Sequence, residues 1–88
     1  SYNQKRTKGK RMHEVIKIDR EMMTSYIIGQ MYDWKDYSSC SLNGKILRLR
    51  FRNDGKKYEV TIGEVEVYNG DDIQAAIDAY EESQLRFR

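Results

Sequence analysis

Residues 45–52 read Lys-Ile-Leu-Arg-Leu-Arg-Phe-Arg, and this alternation constrains the chain more than any other stretch. Side chains of a strand point to opposite faces in turn. Leu47, Leu49 and Phe51 therefore fall on one face and Arg48, Arg50 and Arg52 on the other. Asn53-Asp54-Gly55 follows, and Asp54-Gly55 is a favoured two-residue type I′ turn because both positions need positive φ. Reversal there sets Phe51 opposite Tyr58, Leu49 opposite Val60 and Leu47 opposite Ile62. The same register places Arg50 opposite Glu59, a favourable cross-strand pair. A slip by one residue would mix the two faces, so the register is strongly specified.

After Ile62 the apolar phase shifts to Val65 and Val67. Gly63-Glu64 accounts for the shift, since Gly at the first central position suits a type II′ turn. Turning there pairs Ile62 with Val65 and Val60 with Val67. The expectation is a three-stranded antiparallel meander over about 45–52, 56–62 and 65–68. One face is apolar; the other carries Arg48, Arg50, Arg52, Lys57, Glu59, Thr61, Glu66 and Tyr68.

Helical spacing flanks the meander. Met23, Tyr26, Ile27, Gln30, Met31 and Trp34 recur at three- and four-residue steps, which predicts a helix over about 20–33 with Asp19 as N-cap. Gly29 weakens it by about 1 kcal/mol relative to alanine. A second helix is expected over about 71–86, opened by Asp71 with Gln74 in a capping-box arrangement, and burying Ile73, Ile77, Tyr80 and Gln84 or Leu85. Residues 35–45 read as a loop, and 13–18 read equally as a strand or as the first turns of the next helix. Two amphipathic helices on an amphipathic sheet give an α+β, two-layer sandwich. One small domain is expected over 13–88, preceded by a basic, flexible tail at 1–12.

Charge and composition narrow the function. The net charge of +2 divides unevenly along the 88 residues. Residues 1–11 hold Lys5, Arg6, Lys8, Lys10 and Arg11 with no acid, whereas the remainder has eleven Lys and Arg against fourteen Asp and Glu, or −3. No apolar run is long enough to span a membrane, and the polar start gives no sign of a signal peptide. The single cysteine, Cys40, suits a reducing compartment, so a cytoplasmic protein is expected. His13 is the lone histidine, so neither a metal site nor a cofactor is expected. Ser38, Ser39, Cys40 and Ser41 have no base at readable spacing, and an enzyme is not expected.

Two binding functions remain. In the first, Lys5, Arg6, Lys8, Lys10 and Arg11 of the tail join Arg48, Arg50, Arg52 and the Tyr68 ring in binding nucleic acid. The same row, interleaved with Glu59 and Glu66, also reads as a solvated face. The second rests on Lys35-Asp36-Tyr37, the alternating strand, Arg50, Asn53-Asp54-Gly55 and Tyr58, in the order helix, loop, strand, hairpin, strand, helix. Over about residues 20–82 this pattern resembles the small phage-encoded type II anti-CRISPR proteins, which block Cas9 by occupying its PAM-reading site. The resemblance implies a non-enzymatic phage or mobile-element inhibitor of a host protein, Cas9 or a Cas9–guide complex. Its partner-binding residues would be Asn53, Asp54 and Gly55 at the hairpin tip, with Asp36 from the first loop. The chain departs from the family in its weaker acidity, in Lys57 where the family has an acid, and in its basic tail.

Overall fold

The alternation produces the pairing it requires. In the computed structural model, which describes residues 15–86, Lys45–Arg52 and Lys57–Ile62 lie antiparallel. Phe51 faces Tyr58, Leu49 faces Val60, Leu47 faces Ile62, and Arg50 faces Glu59. All six apolar members of these pairs are buried. The fold is α+β, with elements in the order α1 (Arg20–Ile27), β1 (Lys35–Leu42), β2 (Lys45–Arg52), β3 (Lys57–Ile62), β4 (Val65–Gly70) and α2 (Ile73–Arg86). The four strands form one antiparallel sheet in sequence order, β1-β2-β3-β4.

Residues 35–42, expected as loop, are strand β1. It reaches β2 through Asn43-Gly44, whose φ values of 52° and 82° are the two positive angles of a tight hairpin turn. The strand went unread because serine, cysteine and aspartate make a poor apolar period at a sheet edge, although Asn-Gly is itself a hairpin signal. An irregularity between Asp36 and Ser38 leaves Tyr37 unpaired, so Asp36 faces outward opposite Arg50 while Ser38 faces the core side opposite Leu49.

The Gly63 turn forms with φ 59° and pairs Ile62 with Val65. Beyond it the expected pairing of Val60 with Val67 does not occur. A bulge inserts Val67, and Val60 meets Tyr68 instead. That extra residue flips the phase, and Tyr68 leaves the arginine face to pack against the core. Val65 and Val67, expected beneath a helix, are 63% and 39% exposed.

Helix α1 stops six residues short of its expected end. Gly29 takes φ 81°, and Ile28 before it leaves helical geometry at ψ 125°, although its N–H still reaches the Thr24 carbonyl. Met31 and Trp34 continue the helical spacing in sequence only. Asp19 caps α1 as expected, its carboxylate accepting from the N–H groups of Glu21 and Met22. For α2 the cap is Asp72 rather than Asp71: its Oδ1 accepts from Gln74 N at 3.0 Å and Ala75 N at 3.3 Å. Two adjacent aspartates offered the same electrostatics, and backbone register chose the second.

Both helices lie on the apolar face. Met23 and Ile27 of α1 and Ala76, Ile77 and Tyr80 of α2 join Leu42, Leu47, Leu49, Phe51, Tyr58, Val60 and Ile62 in one core. Gln84 rather than Leu85 completes the buried side of α2. Its amide donates to Ile16 O at 3.0 Å and accepts from Ile16 N at 2.8 Å, while Glu81 accepts from Ile18 N at 2.8 Å. Residues 15–18 are thus neither strand nor helix but a segment tied to α2 by side chains, and 13–14 lie outside the described residues. Tyr80 shares a 2.8 Å hydrogen bond with Ser38 Oγ. Burial pushes its phenol up to about 12, with the Ser38 hydrogen bond opposing and Cys40 adding to the rise.

Candidate partner-binding site around the hairpin tip

The loop between β2 and β3 is bent by three successive left-handed residues, Asn53 (φ 49°), Asp54 (φ 61°) and Gly55 (φ 87°). Asp54 and Gly55 supply the two positive angles the turn demands, and Lys56 N closes it on Asn53 O at 3.2 Å. Gly55 is required twice over. A Cβ there would lie 2.8 Å from Tyr58 Oη and 3.0 Å from Ile27 Cδ1, in a backbone region that side chains disfavour.

This tip does not stand free. Asn53 N donates to Tyr32 O at 2.8 Å, Asp54 N to Gln30 O at 2.9 Å, and Gly29 N to Asp54 Oδ1 at 2.5 Å. The hairpin therefore holds residues 29–32 across its end. The consequence is a presented apolar edge: Ile28 and Met31 are each 68% exposed and Tyr32 is 46% exposed. Lys35 Nζ lies 4.8 Å from the Tyr32 ring centroid. Beneath them Tyr26 packs edge-on against Tyr37 and Phe51. Burial raises the Tyr58 phenol above its ordinary 10.0, with Arg20 opposing and Asp54 reinforcing.

Asp36 sits on the outward sheet face rather than at the tip. Its carboxylate bridges Arg48 Nε at 3.4 Å and Arg50 Nε at 3.0 Å. Arg50 also reaches Glu59 at 3.3 Å, and Arg52 reaches Asp33 at 3.1 Å. The Arg50 and Arg52 guanidiniums lie 5.7 and 5.8 Å from the Trp34 ring centroid. Their Nε atoms are enclosed beside carboxylate oxygens without the alignment of a hydrogen bond. Exposed pairs of this kind contribute about 0–1 kcal/mol each. Their larger effect is on the field. Arg48, Arg50 and Arg52 are paired with Asp33, Asp36 and Glu59, so the arginine row carries no cationic excess.

The expected nucleic-acid set is accordingly split. Arg48, Arg50 and Arg52 share the outward face but are paired with acids. Tyr68 is on the core side, where its hydroxyl accepts from Asp72 N at 3.1 Å. Lys5, Arg6, Lys8, Lys10 and Arg11 lie outside the described residues. Of the expected partner-binding set, Asn53, Asp54 and Gly55 form one loop, with Asp36 along the sheet behind it. Ile28, Met31, Tyr32, Asp33 and Trp34 were missed as site residues, having been read as a helical stripe and its end; Gly29 was the signal that the helix would stop before them. Among the described residues no three His, Cys, Asp or Glu side chains gather as metal ligands, and no helix is long and apolar enough to cross a membrane. Comparison with protein-family models, curated proteins and solved structures finds no match.

Proposed function

We propose that the chain is a non-enzymatic protein-binding inhibitor of the kind encoded by phages and mobile elements, acting on a host macromolecule through its hairpin tip and residues 28–34. The observation that carries this reading is the exposure of Ile28 and Met31 on a segment fastened by backbone hydrogen bonds. Exposed apolar side chains on a held backbone suit a protein interface, because little ordering entropy is lost on binding. Asp54 holds the Gly29 amide beside them and Asp33 follows the segment, and by the resemblance this tip meets a partner surface that ordinarily contacts DNA. The resemblance names that partner as Cas9, with the inhibitor blocking its binding to DNA.

The nucleic-acid alternative draws on the +5 of residues 1–11, since the sheet arginines are matched by acids. A Cas9 DNA-cleavage assay with the full chain separates the two. Inhibition is expected, and it should be lost in Ile28→Lys/Met31→Lys and in Asn53→Ala/Asp54→Ala with circular dichroism unchanged. Full inhibition by both double variants would reject the tip surface. A gel shift of free DNA by the chain, reversed by salt, would favour the alternative.

A further inference from the structure

Among the described residues the last strand, β4, has one unpaired edge, because the sheet order ends there. Alternate backbone N–H and C=O groups of such a strand point outward with no partner strand. Between this edge and the C-terminal half of α2 opens a groove of about 380 Å³. Its floor is Ala79 and Ser83, Val65 and Val67 line its strand side, and Glu66, Glu82 and Arg86 stand along it. It begins beside the Gly63 turn, at the end of β3 away from the hairpin tip, and does not depend on the reading given to that tip.

Three features point to what fills it. The exposed valines offer apolar contact beside a free strand edge. The small side chains of Ala79 and Ser83 leave room at its floor for an extended segment. The third feature is charge. Glu82 also belongs to an adjoining groove walled by Asp78, Glu81 and Lys17, so across the two grooves the carboxylates of Glu66, Asp78, Glu81 and Glu82 outnumber the cations of Lys17 and Arg86.

We propose that the β4–α2 groove binds an extended cationic segment of a partner protein. The segment adds to β4 as a fifth strand, seats an apolar side chain on Ala79 and Ser83, and sets Lys or Arg against Glu66 and Glu82. This is strand addition, in which main-chain hydrogen bonds give affinity and alternate side chains give selection.

The test uses the full chain and a fluorescein-labelled decapeptide of alternating Lys and Val, followed by anisotropy and by amide NMR. Binding is expected, with shifts and new exchange protection at alternate amides of β4. Glu82→Lys should weaken it about tenfold. The Glu-Val counterpart, and a Lys-Val peptide N-methylated at alternate residues, should not bind. Equal binding of the N-methylated peptide would mean adsorption to the acidic helix and would overturn the proposal. So would protection of the β4 amides in the free chain accompanied by a dimer in sedimentation, which would assign the edge to a second copy.

Discussion

Replacing Gly55 by alanine tests the tip geometry most sharply. Two costs combine. The left-handed backbone at φ 87° disfavours any side chain by about 1–2 kcal/mol. The new Cβ also meets Tyr58 Oη at 2.8 Å and Ile27 Cδ1 at 3.0 Å, so buried neighbours must shift, adding about 1–3 kcal/mol as overpacking does. A destabilisation of about 2–5 kcal/mol follows, or roughly 10–25 °C in Tm for a domain of this size. Gly29→Ala provides the reference. Its φ of 81° carries the same backbone cost, but nothing lies within 4 Å of the added Cβ. It should lose only about 1–2 kcal/mol. Tyr58→Phe removes the closest clashing atom, so Gly55→Ala should cost less in that background, a coupling readable from a double-mutant cycle in urea. Equal losses at Gly29 and Gly55, with no coupling to Tyr58, would refute the packing assigned to the tip.

Other consequences are as direct. Leu49→Ala should cost about 2–5 kcal/mol, because Leu49 is wholly buried, while Val65→Ala at the exposed edge should stay within about 0.5 kcal/mol; chemical denaturation separates them. Tyr80 predicts a pH effect whose sign follows from its raised phenol: the unfolded chain ionises near 10.0 while the folded one holds its proton to about 12. Stability is therefore unaffected by this group below pH 10 and falls as pH rises through that window, by about 3 kcal/mol in all. Tyr80→Phe should lose about 1 kcal/mol at pH 7 with the Ser38 hydrogen bond and show a shallower alkaline decline. Gln84→Ala removes both bonds to Ile16, so the Ile16 amide should exchange faster while those of β2 and β3 do not.

The central hairpin was readable because each residue pair satisfied two conditions together, apolar opposite apolar and polar opposite polar, which only one register meets. The bulge at Val67 was hidden for the converse reason: Val67 and Tyr68 are each acceptable on the apolar side, so inserting one residue leaves no mark on the pattern. Edge strand β1 is hard to read because only Leu42 of its eight residues is buried, and its serines need not alternate with apolar residues. At the site, Asp54-Gly55 was legible as a turn from φ requirements alone. Its hold on residues 30–32 runs from backbone N–H to backbone carbonyl, and such bonds depend on no side chain that could advertise them.

Amide hydrogen exchange at Gly29, Asn53 and Asp54 in the free protein examines the held tip most directly. Protection at all three is predicted, with Asp54→Ala releasing the Gly29 amide alone. Exchange of all three at the rate of an unstructured chain would show that the tip is unfastened and that Ile28 and Met31 are not presented together.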